Sequence, residues 1–262
     1  MKALVLTLTF GSFCSLSAQA ETYDLRFHGG AVRSYVDDRL TLRDNGSADL
    51  KTLSPFPYRL DQNAIGVFST KLDQAESKKL RDEVIKLFRI RGSKPLHNAN
   101  TVLGEVSVVE AREKKGFVWP LESDPAAKNL ESLYYGLKTK LFAHPKAALR
   151  LHCKRSAKTL ICSLTNIGSE NVRTVDPLGV TESVFCLGQD GKRGVMNPGE
   201  EIDPRNMSPK HIQLKKAEKF DFSIDDNGFC RSQILLKTSD LLINSKYKNA
   251  LLGELISNEL TK

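Results

Sequence analysis

Beyond residue 20, the first half of this chain contains no cysteine. Of five cysteines in 262 residues, one is Cys14 and the others are Cys153, Cys162, Cys186 and Cys230. No two form a C-x-x-C pair, so neither the close ligand pairs of a structural zinc site nor a thioredoxin-type redox motif is present. After residue 20 no apolar run approaches the roughly 20 residues that a membrane helix needs. H-E-x-x-H, G-x-S-x-G, the phosphate-binding Walker loop and the dinucleotide fingerprint are all missing. His28, His97, His144, His152 and His211 fall at no close metal-ligand spacing. His152 alternates out of phase with Leu151 and Cys153 and is expected to face solvent. These absences exclude the common zinc hydrolases, serine hydrolases and nucleotide-dependent enzymes, and no catalytic, cofactor-binding or metal-ligating residue is expected.

What is present starts with a leader. Lys2 precedes a short apolar core, and Ala18-Gln19-Ala20 stands just before Glu21, the order of a secretory signal peptide whose core is too short to span a bilayer. Cys14 has Phe13 where a lipidation signal wants a small residue. Removing residues 1–20 takes away Lys2 and no acid, so 39 basic residues become 38 against 31 acidic and the net charge is +7. The basic residues are scattered, with short clusters at Lys78-Lys79, Lys114-Lys115 and Lys215-Lys216. A nucleic-acid partner is therefore not expected, because that needs a continuous basic face with stacking aromatics. The expected location is periplasmic or secreted, where an even number of remaining cysteines reads as disulfides.

Along residues 21–145, apolar and polar residues alternate over 23 to 27 and again on both sides of Asp44-Asn45-Gly46. Pairing Leu42 with Ala48 and Leu40 with Leu50 keeps one face apolar and leaves a three-residue loop ending in a glycine that can turn left-handed. Leu80, Val84, Leu87 and Phe88 recur at helical spacing, as do Leu130, Leu133, Tyr134, Leu137 and Leu141. Asp124 and Pro125 suit the cap and first turn of that second helix. Between the helices lies a strand pair at 104 to 109 and 116 to 120. The order of strands, helix, strands, helix predicts an α+β domain.

From 146 to 262 the helical period fades. Six to eight short strands separated by Asn-Ile-Gly, Gln-Asp-Gly and Asp-Asn-Gly turns predict a β-sandwich. The last segment, 251 to 260, fits a helix face or a closing strand, and the strand is expected. With a four-residue loop at 156 to 159, Arg155 faces Leu160, Cys153 faces Cys162 and Leu151 faces Leu164. Directly opposed antiparallel residues lie about 4.5–5.5 Å apart, within disulfide reach. A Cys153–Cys162 staple follows, which leaves Cys186 with Cys230, although four cysteines allow three pairings. The acid pairs Asp37-Asp38, Glu200-Glu201 and Asp225-Asp226 read as solvated loop carboxylates. Pro55, Phe56, Pro57, Tyr58 and Arg59 form a stiff aromatic loop, either a docking anchor or a cover for the sheet.

Gly29-Gly30 after the first strand, the Asn45-Gly46 hairpin, the helix at 74 to 88 and the following hairpin and helix resemble, in layout, the emfourin-type inhibitors of thermolysin-like proteases. Residues 149 to 260, with Leu164-Thr165-Asn166-Ile167-Gly168 and the later strand entry at 214 to 220, resemble immunoglobulin-like bacterial envelope domains. The resemblance implies an α+β domain followed by an all-β immunoglobulin-like sandwich. It implies an exported, non-enzymatic protein-binding module whose partner is another protein, with a protease as the most concrete case. An envelope structural subunit that pairs through a sheet edge, and an enzyme whose residues converge only on folding, are the other readings.

Overall fold

The structure, a computed structural model, describes residues 22–29, 36–53, 64–91, 102–110, 113–120, 127–179, 183–187, 193–196, 210–226, 230, 232–238 and 253–260. The leader at 1–20 lies outside them. The chain runs β1 (Thr22–Gly29), β2 (Val36–Arg43), β3 (Ser47–Thr52), β4 (Ala64–Lys71), α1 (Gln74–Arg91), β5 (Val102–Glu110), β6 (Glu113–Pro120), α2 (Lys128–Phe142), β7 (Pro145–Ser156) and β8 (Thr159–Asn166). It continues through β9 (Val172–Val175), a 3₁₀ turn at Pro177–Gly179, β10 (Val184–Leu187), β11 (Arg193–Val195), β12 (His211–Leu214), β13 (Lys219–Asp225), β14 (Gln233–Lys237) and β15 (Glu254–Ile256).

The local signals act as the sequence suggests. Leu40 pairs with Leu50 and Leu42 with Ala48. Gly46 turns the hairpin at φ +80°, a conformation that disfavours a side chain. Asp73 and Glu76 close a reciprocal cap on α1: the Glu76 amide donates to Asp73 Oδ1 at 2.8 Å, and the Asp73 amide donates to Glu76 Oε2 at 3.3 Å. Helix α2 starts at Lys128 behind Ala127, with no side-chain cap. Asp124 and Pro125, the expected cap and first turn, lie outside the described residues.

The expected fold class is corrected by the sheet. Nine antiparallel strands, in the order β13-β8-β7-β4-β3-β2-β1-β5-β6, form one continuous sheet through both halves of the chain. An α+β domain followed by a separate immunoglobulin-like sandwich is not what forms, because β4 pairs along β7 from Ala64↔Arg150 to Val67↔Ala147. The physical cause is burial on both faces at that seam. Ala64, Ile65 and Gly66 are all buried, as are Ala147, Ala148 and Leu149. Successive side chains of a strand point to opposite faces. Ala64 and Ala148 thus join a core with Leu25, Leu40, Leu50, Phe68 and the inner stripes of α1 and α2. Ile65, Ala147 and Leu149 join a second core on the other face with Leu151, Leu164, Leu236 and Leu255. Gly66 is what allows the approach: a Cβ there would sit 2.2 Å from the Ala147 carbonyl oxygen.

The two helices cover one face of the β1–β4 half. A second layer covers the opposite face of the β7–β8–β13 half. That layer comprises the sheet β11-β10-β14-β15 and the β12-β9 pair. Packing of sheet on sheet is therefore present in the last third, but one of its two sheets extends far beyond it. Among the described residues neither layer covers the face of β1–β3 opposite the helices, and that face carries the charged side chains.

Candidate functional site

Because Leu25, Leu40 and Leu50 point into the helical core, their neighbours Arg26, Arg39 and Lys51 point away from it. Pairing of Arg26 with Arg39, and of Arg39 with Lys51, sets three cations abreast on three adjacent strands. All three are exposed, and with Leu53 they line a hollow of about 260 Å³. Like charges directly opposite one another destabilise a sheet by a few tenths to about 1 kcal/mol per pair. At its β5 end the row meets an acid, since Arg26 is also opposite Glu105, whereas Arg39 has a cation on either side.

The other acids of this face, Asp24 and Asp49, occupy the next row. Arg39 Nη2 donates to Asp24 Oδ2 at 2.7 Å, and Thr41 Oγ1 donates to Asp24 Oδ1 at 2.6 Å. Arg43 Nη1 donates to Asp49 Oδ2 at 2.6 Å, and Ser69 Oγ donates to Asp49 Oδ1 at 2.5 Å. Partial burial pushes the Asp49 carboxyl up. The hydrogen bonds from Ser69 and Arg43 and the charges of Arg43 and Lys146 outweigh that and hold it below its usual value. Both acids are thus engaged within the face. Lys51 makes no ion pair among the described residues. The face presents three cationic side chains, two of them guanidinium groups, whose planar forks suit carboxylate partners.

The sequence-predicted residues fall in several places. Cys153 and Cys162 are bonded across β7 and β8 with α-carbons 4.1 Å apart, and Cys186 and Cys230 are bonded with α-carbons 5.2 Å apart. Register continues to Ser156↔Thr159, so the turn is two residues, Ala157 and Lys158, instead of four. Pro55, Phe56, Pro57, Tyr58 and Arg59 lie outside the described residues, as do Glu200 and Glu201. His152 is exposed, with Nδ1 3.0 Å from Asn258 Oδ1.

Two carboxylates read as solvated are buried. Asp38 is 1% exposed, and its Oδ2 accepts from Tyr134 Oη at 2.5 Å and from Lys138 Nζ at 2.6 Å, while its Oδ1 has no partner. Asp226 is 2% exposed; its Oδ2 accepts from Arg155 Nε at 3.1 Å, and its Oδ1 accepts from the Cys230 amide at 3.2 Å. Both are internal ties, which a run of two acids in sequence does not reveal. The row Arg26, Arg39, Lys51 was also missed, although the Leu40–Leu50 pairing already implies that Arg39 faces Lys51.

Among the described residues no three His, Cys, Asp or Glu side chains gather as a metal site, and no helix is long and apolar enough to cross a membrane. No protein-family model matches the chain, and no curated protein matches it.

Proposed function

We propose that this protein is an exported, non-enzymatic binding module that docks an acidic protein surface onto the basic face of its long sheet. The observation that carries the reading is the row Arg26, Arg39, Lys51, three cations on adjacent strands with Arg39 opposed by a like charge on both sides and one acid, Glu105, at the β5 end. Charge of this kind steers association and selects partners more than it adds raw affinity. Export is supported by the two disulfides, which persist in oxidising compartments such as the periplasm or the exterior.

The test compares the mature chain with Arg26→Gln/Arg39→Gln/Lys51→Gln, using fluorescently labelled poly-glutamate as the acidic probe. A control, Lys79→Gln/Lys86→Gln/Lys128→Gln, removes the same charge from exposed helical positions on the other side of the sheet. The expected result is at least about tenfold weaker, less salt-dependent binding in the first variant and little change in the control. Equal weakening in both variants would reduce the row to bulk charge. Binding only to anionic vesicles would replace a protein partner with an envelope surface.

A further inference from the structure

A second feature lies on the helical side of the sheet, independent of the basic face. Helix α1 and the β2–β3 hairpin enclose a groove of about 530 Å³, within the range of small-molecule sites. Its lining includes Tyr23, Gly46, Leu72, Ser77, Arg81 and Ile85. Ser77 is 6% exposed and its hydroxyl has no hydrogen-bond partner. One helical turn on, Arg81 is held by its outer nitrogen: Nη2 donates to the Arg43 carbonyl at 3.0 Å and lies 3.4 Å from Asp44 Oδ1. Its guanidinium lies 5.4 Å from the centre of the Tyr23 ring. That clamp fixes the guanidinium plane and leaves Nε, also buried, without a partner.

Two orphaned donors four residues apart on a helix share one face. Unsatisfied buried donors cost about 1–3 kcal/mol each, and folded proteins rarely keep them without a reason. Arg81 Nε can only donate and the Ser77 hydroxyl can donate as well as accept; of the two acids that line the groove, Asp44 is engaged by Arg81 and Asp82 is exposed. A ligand that satisfies Arg81 Nε must bring an acceptor, and Lys71 and Lys78 outnumber the exposed Asp82 in the lining, which favours negative charge. Tyr23, Leu72 and the exposed side chain of Ile85 offer apolar surface alongside.

We propose that this groove binds a small organic oxyanion, a carboxylate or phosphate on a short apolar body, with Ser77 Oγ and Arg81 Nε donating to the anionic group. Serine here is a stability cost retained for a ligand. Alanine removes the orphaned hydroxyl without breaking any hydrogen bond within the protein.

The test uses the mature oxidised chain with phenyl phosphate, phenylacetate and the neutral phenylacetamide at up to about 10 mM, above any affinity worth calling a site. Amide NMR shifts at Ser77 and Arg81 and titration calorimetry provide the readouts. The expected result is binding of one or both anions, with the two anionic probes showing which oxyanion is preferred, and at least about tenfold weaker binding of the amide. Ser77→Ala is expected to weaken the anion about tenfold while raising Tm by about 2 °C. Arg81→Lys, which keeps the charge but loses the fork, is expected to weaken it as well. The proposal falls if neither anion binds, if the amide binds equally, if Ser77→Ala leaves affinity unchanged, or if that variant lowers Tm and so exposes a structural role for the hydroxyl.

Discussion

Tyr134 shows how one side chain sets a pH response. Burial first, and then the Asp38 charge and the hydrogen bond to it, hold the phenol well above its usual value of 10. A pKa raised on folding gives stability that is fully present below the unfolded value and is lost as pH rises through the folded one. Urea midpoints of the wild-type chain should therefore fall above about pH 10, where the unfolded phenol ionises. In Tyr134→Phe that alkaline slope should be shallower. Neutral stability should drop by about 2 kcal/mol, because Asp38 loses a charge-assisted bond and its other oxygen already lacks one. Parallel slopes in the two proteins would assign the alkaline loss elsewhere. The stripe Leu130, Tyr134, Leu137, Leu141 was legible in the sequence. The fact that Tyr134 meets Asp38 was not, since 96 positions separate them and no local pattern links the two.

At the scale of elements, the end of β7 is tied down by side chains that imitate backbone. Among the described residues β4 starts at Ala64, opposite Arg150, and none of them pairs as a strand with β7 beyond that point on that side. Asn258 pairs there instead: its Oδ1 accepts from the Cys153 amide at 2.8 Å, and its Nδ2 donates to the Cys153 carbonyl at 3.0 Å. Two residues further on, Arg155 reaches both Asp226 and the Cys230 carbonyl and links the β7–β8 hairpin to the second disulfide. Removing one partner of a buried pair leaves an uncompensated charge. Arg155→Ala should cost about 3 kcal/mol, measured by urea unfolding of the oxidised chain, and Arg155→Met/Asp226→Asn should recover part of it. A loss below about 0.5 kcal/mol in the single variant would place this pair among exposed ion pairs of little consequence. The cross-strand cysteines could be read from alternation within one hairpin. This tie could not, because Asp225-Asp226-Asn227-Gly228 has the composition of a solvated turn.

For the whole molecule the decisive element is the seam between β4 and β7, where both cores meet across small residues. Gly66 adopts φ +141°, a conformation L side chains rarely take, and a Cβ there would also lie 2.6 Å from the Ala148 α-carbon. Gly66→Ala should destabilise the protein by about 3 kcal/mol or more. Since the strand serves both layers, tryptophan fluorescence from Trp119 in β6 and far-ultraviolet dichroism should shift together to lower denaturant. A shift in only one probe would mean that the halves unfold independently and that the shared sheet does not couple them.

By itself the sequence determined what lies within a short window: the Gly46 hairpin, the periods of both helices, the alternation that opposes Cys153 to Cys162, and most of the later strands. These follow from side-chain periodicity and turn chemistry, which need no distant partner. Tertiary structure alone decided that β4 pairs with β7, that Asp38 and Asp226 are interior, and that Arg26, Arg39 and Lys51 stand in one row. The non-alternating stretches Ala64-Ile65-Gly66 and Ala147-Ala148-Leu149 carried a trace of the seam, since a strand buried on both faces loses its polar alternate. Which strands meet is set by the burial of whole layers, a free energy that no local segment contains.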